Sequence, residues 1–227
     1  MPQPRVLREV ARRLQTALGP TRTGPNDAPL ELLLRTILSQ HTSDRNRDVA
    51  YATLREAFPA WEEVRVAPTE AVADAIRGAG LYRQRAARIQ DVLRRVQDER
   101  GTLSLDFLGK LSDARAVEWL LSLPGVGKKT AYVVLLFGFN RPFFPVDTHI
   151  ARVTQRLGLW DGRGDPHDTL APLVPPGEEL DLHLHLIQLG RELCRPRAPR
   201  CPNCPLLDLC PHGASSGVQS PPRKETR

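Results

Sequence analysis

An all-α fold is predicted by three features of this 227-residue sequence. Apolar residues recur at every third or fourth position through most of the chain, as on one face of a helix. The strict alternation of a half-buried strand is nearly absent, and clusters rich in Gly, Pro and Asn separate the periodic segments. With 41% hydrophobic residues, the chain can bury a sizeable core.

In order, the helical segments are residues 6–18, 30–38, 44–58, 71–76, 84–100, 114–121, 129–137, 148–157 and 182–194. The first is Arg-rich and amphipathic, as a transit peptide would be. Glu9 and the regular spacing suit a folded helix better, so no targeting signal is read and a cytoplasmic protein is expected. Punctuation falls at Gly19-Pro20, Pro25-Asn26-Asp27, Phe58-Pro59 and Pro124-Gly125-Val126-Gly127. Residues 214–227 hold too few apolar side chains to offset the entropy of ordering, and a disordered basic tail is expected there. The longest apolar run, residues 131–139, falls well short of the roughly 20 residues that span a bilayer, so no membrane association is expected.

Charge narrows the class of partner. Lys and Arg number 32 against 26 Asp and Glu, a formal net charge of +6, which favours a polyanion through counterion release. Solvated basic faces are common, so charge leaves nucleic-acid binding open.

All four cysteines, Cys194, Cys201, Cys204 and Cys210, fall in one short stretch with the spacing C-x6-C-x2-C-x5-C. A disulfide framework spreads its bridges over a small secreted domain, and structural zinc sites pair two C-x2-C units across a longer loop. A single C-x2-C flanked by one thiol on each side suits an iron–sulfur cluster better, with zinc and free thiols as alternatives. Arg191, Arg195, Arg197 and Arg200 surround the thiols, either to contact phosphates or to balance a thiolate-bound cluster.

Leu123-Pro124-Gly125-Val126-Gly127-Lys128-Lys129 separates two helical segments. Gly125 and Gly127 permit a tight turn and a close approach of backbone to an anion, while an ordinary interhelical linker explains the same pattern. A lysine in a helix's first turn is disfavoured as a cation by the dipole, and a neutral amine is a nucleophile. Asp147 precedes the next helix, either as an N-cap or as a functional carboxylate, and His149 reads as structural.

Together these residues resemble the endonuclease III family of DNA glycosylases, of the helix-hairpin-helix superfamily. The resemblance runs through residues 33–44, the Gly80-Leu81-Tyr82 turn followed by Arg85-Ala86, residues 123–131, the Val146-Asp147-Thr148-His149 box and the cysteine loop. It implies two helical lobes, residues 25–140 and residues 1–24 with 141–213, with a DNA-binding cleft between them. It also implies a [4Fe–4S] cluster on the four cysteines, a hairpin gripping phosphate through Leu123, Gly125, Gly127 and Lys128, and damaged double-stranded DNA as partner of a monomer. The family's catalytic lysine matches Lys129 rather than Lys128, and its catalytic aspartate matches Asp147. Gln40 or His41 on one loop and Leu81 on another match the side chains that fill the gap left by an extruded base. The activity implied is base-excision glycosylase and AP lyase on oxidised pyrimidines. A mismatch thymine or uracil glycosylase and a weakly catalytic damage-binding module are the alternatives.

Overall fold

A computed structural model describes residues 3–21, 28–40 and 42–215. The helices are α1 (Gln3–Leu18), α2 (Pro29–Ser39), α3 (Asp44–Ala57), α4 (Trp61–Val66), α5 (Thr69–Ala75), α6 (Tyr82–Arg100), α7 (Asp113–Leu121), α8 (Lys128–Phe139), α9 (Thr148–Arg156), α10 (Pro166–Leu170), α11 (Glu179–Glu192) and α12 (Pro211–Ser215). Among the described residues there is no β-strand, so the fold is all-α. None of these helices is long and apolar enough to cross a membrane. The chain divides into two units, Pro25–Arg141 and Met1–Gly24 with Pro142–Arg227. His41 and residues 216–227 of the expected tail lie outside the described residues, and α12 runs through Ala214 and Ser215.

In the unit Pro25–Arg141, α8 is the central element. Its buried residues, Thr130, Ala131, Val133, Val134, Leu135 and Leu136, leave it with little amphipathic character, and it packs against both α2 and α7. Gly138 lets the end of α8 approach the start of α2, since a Cβ there would lie 3.3 Å from Pro29 Cβ. Ser43 starts α3 by accepting a hydrogen bond from the Asn46 amide at 3.2 Å, and Gly101, at φ +71°, ends α6 in the left-handed conformation.

Helix α4, six residues long, is absent from the sequence expectation. A polar clamp holds it. Gln90, fully buried on α6, donates to Val64 O at 2.9 Å and to Ala67 O at 2.7 Å, and accepts from Thr69 Oγ1 at 2.7 Å. A buried amide satisfied on three sides fixes the α4–α5 junction where an apolar contact would leave the angle free.

The other unit has a hydrophobic core built from Leu7, Val10 and Leu14 of α1, Ile150 and Val153 of α9, Leu182, Leu186 and Leu189 of α11, and Phe144, Leu159 and Leu206 of the connecting segments. Helix α9 lies close on α11, where a Cβ at Gly190 would come within 2.8 Å of His149 Cβ. His185 Nε2 bonds Gly19 O at 2.9 Å and so anchors the end of α1. Glu9 accepts from Arg12 and Arg13, and those two guanidiniums hold its carboxyl down at about 2. Arg13 also reaches the cysteine loop, bonding both oxygens of Asp208 and Pro205 O.

Candidate functional site

The hairpin of α7 and α8 turns through Leu123-Pro124-Gly125-Val126-Gly127. Gly125 takes φ +75°, which only glycine adopts without strain, and an added Cβ would lie 2.7 Å from Arg88 Cδ. Gly127 has extended backbone at φ −100° as the N-cap of α8, contributes no side-chain cap, and an added Cβ would meet nothing within 4 Å. The opening amides of α8 therefore follow a residue with no side chain to obstruct an approaching anion. Lys128 and Lys129 occupy the first turn, both half-buried. Leu123 is 3% exposed and its amide bonds Leu120 O at 3.2 Å, so it serves the core of the turn. Helix α6 supports the turn from beneath, with Arg88 against Gly125 and Arg95 donating to Ser122 O at 2.7 Å.

Gln40 caps the C-terminus of α2, and its side chain is committed. Nε2 donates to Gly125 O at 3.0 Å and Oε1 accepts from Arg88 at 3.4 Å. Leu81 sits between Gly80, at φ +69°, and α6, itself left-handed at φ +46° and 59% exposed. A leucine in that backbone region is strained, and its side chain gains no burial in return. Arg85, four residues on in α6, is buried.

Asp147, in the unit with α9, takes the first of its two sequence readings, the N-cap of α9. Oδ1 accepts from the amides of His149 at 2.9 Å and Ile150 at 2.8 Å, a helix N-cap. Among the described residues Oδ2 takes no bond, and the side chain is half-buried. Two buried histidines grip the backbone just before it. His183 Nδ1 donates to Pro145 O at 2.9 Å. His167 Nε2 accepts from the Val146 amide at 3.1 Å, which requires the proton on Nδ1, where it is donated to Asp165 at 2.8 Å. The sequence reading did not single out either histidine. The D-x-H spacing of Asp165 and His167 was the available signal.

The cysteine loop is built around two arginines of α9. Arg152 Nε donates to Cys194 O at 2.9 Å and its NH2 to Gly190 O at 2.8 Å. Arg156 donates to Arg195 O at 2.8 Å, Pro196 O at 3.1 Å and Cys194 Sγ at 3.3 Å. Cys210 Sγ in turn donates to Arg156 O at 3.3 Å. The thiols are all free and partly buried, and Cys194, Cys204 and Cys210 pack against the core. Burial pushes Cys204 up to about 11, the other three thiols adding to the rise, and burial also raises Cys210. Among the described residues no three His, Cys, Asp or Glu side chains converge where a single metal ion would sit. An all-sulfur set of four free thiols on one loop, three of them acting on the fourth at Cys204, nonetheless matches the donor chemistry of an iron–sulfur cluster.

The family model described as HhH-GPD superfamily base excision DNA repair protein matches residues 34–175. The chain is 36% identical over 185 residues to endonuclease III of Thermotoga maritima, covering 80% of this chain and 82% of that protein. It is 35% identical over 188 residues to endonuclease III of Bacillus subtilis, covering 82% of each. Among solved structures it is similar to a trapped endonuclease III–DNA covalent intermediate, with a TM-score of 0.80 and 29% identity over 95% of this chain and 99% of that one.

Proposed function

Because the chain belongs to the HhH-GPD superfamily of base excision DNA repair proteins, we propose that it is a DNA glycosylase and AP lyase that removes oxidised pyrimidines from damaged double-stranded DNA. The observation that carries this reading is Lys129 in the first turn of α8, directly after a glycine turn suited to a phosphate, within the segment matched to that superfamily. Two similar proteins are named endonuclease III, and one similar structure is a covalent endonuclease III–DNA intermediate.

In this reading the hairpin amides and Lys128 hold the backbone while the damaged nucleotide leaves the stack. The neutral amine of Lys129 attacks the deoxyribose C1′ and the base departs with the bonding electrons, taking up a proton. Opening of the sugar ring gives an imine between Lys129 and C1′. Loss of a C2′ proton then expels the 3′ phosphate and breaks the strand. The Asp147 oxygen not used as a cap stabilises positive charge developing on the sugar and carries protons. Leu81 enters the gap left by the base. On the other loop the Gln40 amide is already bonded to Gly125 and Arg88, which leaves the neighbouring His41 for that role.

Cys194, Cys201, Cys204 and Cys210 would hold a [4Fe–4S] cluster, which when bound cross-links the loop and supplies no step of base removal. The arginines of the loop then meet phosphate as a rigid set. The enzyme acts as a cytoplasmic monomer.

The test is a borohydride trap. Incubated with a duplex containing thymine glycol, the protein should form a covalent DNA adduct, and Lys129→Ala should form none. An adduct undiminished by Lys129→Ala, or no adduct with the wild type, rejects the lyase mechanism.

A further inference from the structure

Arg85 heads the largest fully buried side chains among the described residues, at 2% exposure. A guanidinium stays charged in a protein, so burial demands strong partners. Among the described residues Arg85 has two, both backbone carbonyls, Ala79 O and Gln40 O. It forms no ion pair with a carboxylate among the described residues. Desolvation and the nearby Arg88 both work against its charge. An apolar side chain of similar volume would fill the same space at lower cost. What a planar fork of donors adds is a fixed relation between two carbonyls from different segments.

Those segments are the ones that bear the gap-filling positions. Ala79 directly precedes Gly80 and the strained, exposed Leu81. Gln40 closes α2, and its amide bonds Gly125 O in the hairpin. A continuous hydrogen-bonded strut therefore runs from Gly125 through Gln40 and Arg85 to Ala79. It joins the phosphate-gripping turn, the α2–α3 loop and the Leu81 turn, all inside the unit Pro25–Arg141.

We propose that Arg85 is a positioning residue for base extrusion, locking the Leu81 turn and the Gln40 loop together so that both enter the stack in register with the hairpin. This rests on the glycosylase reading above. Arg85 touches no reacting atom. Its contribution falls on the unstacking of a paired nucleotide and is small when the lesion is already unpaired.

Single-turnover excision of thymine glycol should be measured for the wild type, Arg85→Met, Arg85→Lys, Leu81→Ala and the Arg85→Met/Leu81→Ala double variant. Two duplexes are compared, one with the lesion paired with adenine and one with it opposite an abasic gap. Arg85→Met should lose roughly tenfold or more on the paired duplex and no more than about threefold on the gapped one. Leu81→Ala should show the same split, and the double variant should lose no more than the worse single variant. Arg85→Lys keeps the charge but spans the two carbonyls poorly. It should show the split in weaker form, and it carries the test if the methionine variant melts below the assay temperature. Equal losses on both duplexes, or losses that multiply in the double variant, overturn the positioning role. A wild type that excises from neither duplex rejects the glycosylase reading instead.

Discussion

Asp147 commits one carboxylate oxygen to capping α9, and the other, which takes no bond among the described residues, is the one proposed for chemistry. The division makes stability and chemistry separable. Asparagine caps a helix about as well as aspartate but carries neither charge nor basicity. Asp147→Asn should therefore change the free energy of unfolding by less than about 1 kcal/mol, while single-turnover excision falls about a hundredfold, the scale of a lost general base or charge stabiliser. Denaturant melts and excision rates on one preparation check both halves. Comparable losses in the two would make Asp147 a cap and nothing more. The backbone before it is held as firmly as the side chain, through His167 on the Val146 amide and His183 on Pro145 O. These bonds use both faces of the peptide run that leads into α9.

At the scale of the element, the hairpin's two glycines are alike in sequence and different in structure. Gly125 needs positive φ and lies against Arg88, whereas Gly127 is extended with open space beside it. Gly125→Ala should cost about 1–3 kcal/mol of stability, the range for a non-glycine residue held in the left-handed region. Gly127→Ala should cost about 0.5–1 kcal/mol, since alanine is a poorer N-cap than glycine but meets no backbone strain there. Its effect should instead appear in duplex affinity, because the added methyl stands where the backbone is proposed to approach a phosphate. Urea melts and duplex titrations of both variants test the pair of expectations. A Gly127→Ala protein that binds duplex like the wild type would remove the hairpin's proposed role.

For the whole molecule, the excess of basic over acidic residues, with a net charge of +6, sets the physical character of binding. Many of the arginines are engaged within the protein, as with Arg13 on Asp208, Arg47 on Asp44 and Arg95 on Glu99. The charge available to DNA is thus smaller than composition suggests. Duplex binding should still weaken linearly in log–log form with salt, with a slope of about −3 or steeper if three or more phosphates are neutralised. Titrations across a salt series measure it, and a flat dependence would exclude phosphate neutralisation as the main source of affinity.

Much of this architecture is legible in the sequence. The longer helices announce themselves by apolar periodicity, because a helix on a core must present one face at every third or fourth residue. The Gly125–Gly127 turn and the cap at Asp147 announce themselves by residues whose local chemistry few others share. Helices α4 and α10, at six and five residues, give periodicity little to register and are held through contacts made elsewhere, such as Gln90 on Val64 O and His167 on the Val146 amide. Arg85 belongs to the family resemblance by position, but its burial is not legible in the sequence. In sequence it is one more arginine on a helix rich in them. Its burial is favourable only because Gln40 and Ala79, 45 and 6 residues away, deliver carbonyls to the same point. Periodicity and local propensity are properties of neighbouring residues and are written in their order. The satisfaction of a buried polar group depends on segments far apart in the chain, so it exists only once they have packed.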